Sequence, residues 1–102
     1  MDGPPLSPET LRRVEQVFPQ HLRADAIAYL VIHCGWNLPG CKDDTAIQLE
    51  RIRFAVLKLS KGTIDGLLRA IQDAQEDWRD VLMAAGFGRD VEAHKHWLAT
   101  KV

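Results

Sequence analysis

Four carboxylates, Asp73, Glu76, Asp77 and Asp80, are the side chains of this sequence best spaced to act together. Separations of three, four and seven residues put them on one face of a helix, where residues three and four apart are neighbours. Like charges at that spacing cost a helix roughly 0.2–0.5 kcal/mol per pair unless something cationic neutralises them. Arg69 and Arg79 supply only part of that charge. A divalent ion is the weaker candidate, because carboxylate metal sites draw ligands from several elements and no Glu-x-x-His pair accompanies the run. The first reading of such a run is a solvated face that keeps the chain soluble, and among the functional readings a basic partner surface stands ahead of a metal.

The soft ligands are His33, Cys34, Cys41, His94 and His96. Six residues separate Cys34 from Cys41, wider than the two-to-four-residue knuckle of structural zinc sites, and His94 and His96 point in different directions on a helix. No metal and no cofactor is expected from them, and Cys34 reads as a small core residue. Ser7 and Ser60 sit where hydroxyls cap helices. Neither lies in a Gly-x-Ser-x-Gly turn, and no Gly-rich phosphate loop exists. A metal-dependent or hydrolytic enzyme built on the His and Cys residues or the acidic ridge is thus a secondary reading, as is a helix-turn-helix nucleic-acid binder. From Ile64 to Ala85 there are two Arg against five acids, a net of -3 and the wrong sign for facing phosphates.

These residues must be positioned by helices. Ser7 as N-cap, Pro8 at the first helical position, Glu9 in the first turn and Leu6 stapled onto Leu11 open helix one. Its apolar face is Leu11, Val14, Val17 and Phe18, with Arg12, Arg13, Glu15 and Gln16 wet, and Pro19 stops it. Residues 21–33 are apolar nearly all round, which predicts a helix buried on most sides; Tyr29 to Ile32 also reads as a short buried strand. Gly35 is a left-handed stop, and a loop follows to Lys42. Helix three, capped by Asp43 or Asp44, runs to about Ser60 with Leu49, Ile52, Val56 and Leu59 on one side and Ile47, Phe54 and Leu57 on another. Arg51 and Lys58 form its polar edge. Gly62 ends it, Thr63 caps helix four, and the short turn forces an antiparallel hairpin.

Helix four carries Ile64, Leu67, Leu68, Ile71, Ala74, Trp78, Val81, Leu82 and Ala85 as one continuous stripe, with Gly66 weakening the first turn by about 1 kcal/mol relative to Ala. Asp90 can cap a last short helix from Val91 to about Thr100. Asp44 to Gly62 sums to +2, four bases against two acids, so the basic edge of helix three complements the acidic back of helix four. Trp36, in a loop, and Trp97, near the chain end, have the character of interface anchors.

At 102 residues and 46% apolar, the chain is the size of one domain with one core, and residues 1–5 read as a disordered arm. The net charge of -1 attracts neither nucleic acid nor an anionic membrane, and two cysteines are too few for a disulfide scaffold. The start MDGPPLSPE lacks a secretory signal, and the longest apolar run, Ala26 to Ile32, is far short of the roughly 20 residues that span a bilayer. A soluble cytoplasmic protein is expected.

Two runs, ERIRFAVLKLSKG from Glu50 and DWRDVL from Asp77, cover about the central third of the chain and resemble a group of short uncharacterised bacterial proteins. Those carry a similar Glu-Arg-Val-x-Leu-Ala-Ile-Leu-Lys-Leu-x-x-Gly run and an Asp-Tyr-Arg-Asp-Val-Leu run. The resemblance implies a bacterial cytoplasmic origin and attaches no activity, so no functional residue is carried over. The sequence thus predicts an all-α, single-domain bundle of four main helices plus a short C-terminal one, around a central antiparallel hairpin. It would serve as a small non-enzymatic interaction or regulatory module whose partner is another protein or a second copy of itself. Its surface would comprise Asp73, Glu76, Asp77, Asp80, Arg51, Lys58, Trp36 and Trp97.

Overall fold

Among the described residues five helices follow from these local signals: α1 (Pro8–Val17), α2 (Gln20–His33), α3 (Ala46–Ser60), α4 (Ile64–Ala84) and α5 (Ala93–His96). A computed structural model describes residues 6–35, 38, 46–88 and 93–97. Outside them lie the expected N-terminal arm, Trp36, Cys41, the caps Asp43, Asp44 and Asp90, and the ends of the terminal helix. Among the described residues there is no strand, and the chain is an all-α bundle.

The boundaries are set by short-range chemistry. Ser7 Oγ accepts the Thr10 amide at 3.2 Å, and Thr63 Oγ1 accepts the Gly66 amide at 3.0 Å, each satisfying one of the amides orphaned at a helix start. Pro19 separates α1 from α2. Tyr29 to Ile32 is helical, continuous with α2. Lys61 and Gly62 adopt φ of 55° and 82°, reversing the chain between α3 and α4. At the far end Gly86, with φ of 83°, donates to Met83 O at 3.1 Å while the Phe87 amide reaches Leu82 O at 2.8 Å. That pair of bonds is a Schellman stop.

α3 is the centre of the bundle. Leu49, Arg51 through Leu57 and Ser60 are all buried, because α4 covers one side while α1 and α5 cover others. The covering that its two apolar sides demand is supplied within the chain. α2 packs on α1 and α4 through Ala26 and Leu30, while Ile32 stays 46% exposed. The expectation that α2 is buried on most sides is corrected: it lies at the rim, where neighbours reach one face alone.

Basic side chains hold the helix ends. Carbonyls of the last turn have no partner within their own helix and carry the negative end of its dipole. Arg23 donates to Phe18 O and Glu15 O at the end of α1, both at 3.1 Å. Arg53 donates to Cys34 O at the end of α2 at 2.8 Å, and Lys58 to Ala85 O at the end of α4 at 2.9 Å. Arg13 donates to Trp97 O and Lys95 O at the end of α5, at 2.9 and 3.4 Å. This revises two expectations. Arg13 is 2% exposed with its guanidinium 5.1 Å from the centre of the Phe54 ring, so the inner face of α1 is Thr10, Arg13, Val14 and Phe18, with Leu11 outside. α2 closes on Cys34 at φ -128°, held by Arg53, and not on a left-handed Gly35.

α4 is broken. Asp77 takes an extended conformation, φ -160° and ψ 99°, and its Oδ1 accepts the Arg79 amide at 3.1 Å, acting as a cap for the segment 78–84. A straight 21-residue helix would run about 30 Å and carry its end past the start of α3. Instead Lys58, in the last turn of α3, reaches Ala85 O, and Arg51 reaches Phe87 O at 2.7 Å. The second segment therefore turns back across α3, and the continuous stripe expected of helix four is two stripes.

Candidate functional site

The break at Asp77 builds the most distinctive surface. Asp73 and Glu76 precede it, Asp77 forms it, and Asp80 follows it, and the fold-back brings all four to the walls of one open groove of about 280 Å³. Leu59, from the last turn of α3, together with Val81 and Ala84 completes the lining. The four acids converge as the spacing predicts, but by a different route. An unbroken helix would align them in a ridge; the kinked one wraps them around a concavity.

All four carboxyl groups are exposed, and among the described residues none of them forms an ion pair. Asp77 spends one oxygen on the Arg79 amide. The guanidinium of Arg79 lies 5.5 Å from the centre of the Trp78 ring. Mutual repulsion, a few tenths of a kcal/mol per pair, is thus left without a cationic partner in the groove. A second depression of about 500 Å³ adjoins it, sharing Leu59, Asp73 and Ala84 and edged by Lys61 and Arg69.

The other expected surface residues are placed differently. Arg51 is 7% exposed, bonding Gln48 Oε1 at 2.6 Å and Phe87 O at 2.7 Å, so it is not on a wet edge. A buried guanidinium needs such acceptors, and the Gln48 side chain and the Phe87 carbonyl supply one each. Lys58 is an exposed residue, but its ammonium donates to Ala85 O and lies 5.2 Å from the centre of the Phe87 ring. The complementary basic edge of α3 is spent inside the fold. Trp97 is half-buried against Phe54 and Phe87, with ring centres 6.1 and 6.3 Å away, and acts as a plug of the core. Trp36 lies outside the described residues.

The soft ligands scatter. Cys34 is buried in the core, His33 and His96 are exposed, and Cys41 is outside the described residues. Among the described residues no three His, Cys, Asp or Glu side chains converge on a point that could hold a metal ion. His94 is fully buried and meets Glu50 Oε2 at 3.0 Å, while Ser7 Oγ donates to Glu50 Oε1 at 2.7 Å. That Ser–Glu–His chain superficially resembles catalytic machinery. Its carboxylate sits in the middle, so no imidazole faces the hydroxyl, and His94 Nδ1 is buried among aromatic rings without a hydrogen-bond partner among the described residues. A nucleophile needs its base within hydrogen-bond reach. The cluster instead ties α1, α3 and α5 together.

Compared with protein families, with curated protein sequences and with solved structures, the chain matches none. The site therefore rests on its own geometry. Sequence reasoning missed Glu50, Leu59 and Lys61 and took Arg69 only as a partial neutraliser of the acidic run. Glu50 and His94 are 44 residues apart with no shared motif, whereas Lys61, in the turn before α4, lies twelve residues from Asp73 and is brought near it by the fold.

Proposed function

We propose that this chain is a small non-enzymatic interaction module that docks a basic segment of a protein in the α4 groove. The observation that carries the reading is the groove itself: four exposed carboxylates, unpaired among the described residues, around a partly apolar floor of Leu59, Val81 and Ala84. Such a wall stabilises lysine or arginine side chains and steers their approach, while the floor accepts an apolar residue between them. Nucleic acid is disfavoured on the same grounds. Two bases that the sequence offered for phosphates, Arg51 and Lys58, donate instead to carbonyls within the molecule, and the exposed Lys61 and Arg69 stand beside the four carboxylates. No helix among the described residues is long and apolar enough to cross a membrane.

The reading is tested with labelled amphipathic peptides that differ only in carrying Lys and Arg or Glu at their polar positions. The basic peptide should bind, should release between 0.1 and 1 M salt as the Debye length falls from about 10 to about 3 Å, and should not bind an Asp73→Lys, Glu76→Lys, Asp80→Lys variant that keeps its helical circular dichroism. Equal binding of acidic and basic peptides, or undiminished binding by the variant, would overturn it.

A further inference from the structure

The carboxylate groove is half of a larger face. It shares Leu59, Asp73 and Ala84 with the adjoining depression, so the two are continuous, yet their charges are opposite. One half carries Asp73, Glu76, Asp77 and Asp80; the other is edged by Lys61 and Arg69. Both bases are exposed, and among the described residues neither enters an ion pair, even though Arg69 and Asp73 stand one helical turn apart. The backbone of Lys61 is pinned in the left-handed turn that joins α3 to α4, at φ 55°. Neighbouring patches of opposite charge that do not satisfy each other within the molecule have the character of a self-complementary surface. In a two-fold interface the same patch serves on both sides, each residue meeting the counterpart of its own partner.

We propose that this face is the contact between two copies of the chain, related by a two-fold axis near Asp73, with Lys61 and Arg69 of each copy entering the carboxylate groove of the other. The inference rests on the docking reading above and names its occupant. A purely basic foreign segment would fill the groove but face Lys61 and Arg69 with its own positive charge, whereas a second copy neutralises both halves. The apolar residues shared by the halves, Leu59 and Ala84, lie where the two copies would meet. This is not the pairing that Arg51 and Lys58 suggested, since those bases are engaged within each copy.

Sedimentation of the full chain from micromolar to millimolar concentration should show a reversible monomer–dimer equilibrium that weakens between 0.1 and 1 M salt. Lys61→Glu with Arg69→Glu should lower the association constant at least about tenfold, equivalent to about 1.4 kcal/mol, and so should Asp73→Lys with Glu76→Lys. An equimolar mixture of the two doubly substituted proteins should recover a heterodimer, because each restores the pairing that the other lost. All four positions are exposed, and circular dichroism confirms that each variant is folded. A wild type monomeric throughout, or variants whose mixture stays monomeric, would overturn the second copy. If the wild type is monomeric and the basic peptide still binds through the groove, the docking reading stands and its occupant is foreign. If neither peptide nor second copy engages the groove, the docking reading falls as well.

Discussion

Replacing Gly66 by Ala separates what propensity alone expects from what the packed structure allows. In an exposed helical turn the change should stabilise by about 1 kcal/mol. Here a Cβ on Gly66 would collide with the Ser60 carbonyl oxygen and lie 2.8 Å from Thr63 Oγ1. The obstacle is backbone, and Ser60 O is already the acceptor for the Thr63 amide and hydroxyl, both at 3.2 Å. Relief requires the α3–α4 turn to open, an overpacking cost of about 2 kcal/mol, and it disturbs the Thr63 cap, worth about 1 kcal/mol. With the propensity gain subtracted, the net is about 2 kcal/mol of destabilisation. For a domain of this size that is a fall in Tm of roughly 8–16 °C. Thermal and urea unfolding of Gly66→Ala against wild type measure it. A double-mutant cycle with Thr63→Ala adds a second check, because part of the cost runs through the cap and the two changes should be less than additive. A variant as stable as wild type, or more stable, would refute the reasoning.

Two further outcomes follow from the buried polar groups. Arg53→Met removes the donor that Cys34 O receives at 2.8 Å in a site where Arg53 is 3% exposed. Stability in urea should fall by about 1–3 kcal/mol, and Arg53→Lys should recover only part of it, since an ammonium cannot reproduce the planar fork. With Cys41 changed to Ser, the remaining Cys34 thiol, fully buried, should react with a thiol reagent about 1,000-fold or more slowly than in the unfolded chain, as native stabilities of several kcal/mol require. Rapid reaction of the folded protein would show that the end of α2 opens locally.

The features legible from the chain were those whose cause lies within about one helical turn. Ser7 and Thr63 cap helices because an oxygen three residues before an amide can reach it. Pro19 separates two helices through its own ring, and Gly62 turns left-handed because it lacks a Cβ. The acidic cluster belongs here as well, since spacing alone brought Asp73 and Glu76 to one side. Its shape does not, because whether Asp77 continues a helix or caps a new one depends on what the following segment can bind. That segment is drawn back by Lys58 and Arg51, and nothing near Asp77 announces it.

What the sequence by itself determined is a chain of amphipathic helices with the apolar content for one core, an all-α architecture, and a concentration of carboxylates on α4. Only the tertiary structure decided which charges are available to a partner. Arg13, Arg51 and Lys58 read as solvent-facing on a helical wheel, yet each, like the buried Arg53, ends on a carbonyl, the partners of Arg53 and Arg13 lying from 19 to 84 residues away. Helix ends carry unsatisfied oxygens and partial negative charge, and in a small bundle those ends lie against neighbouring helices, where a long cationic side chain can bury its stem and deliver its head. The groove carboxylates meet little internal demand beyond the Asp77 bond to the Arg79 amide. They remain outside, and the surface that results is acidic in a groove and basic at its edge.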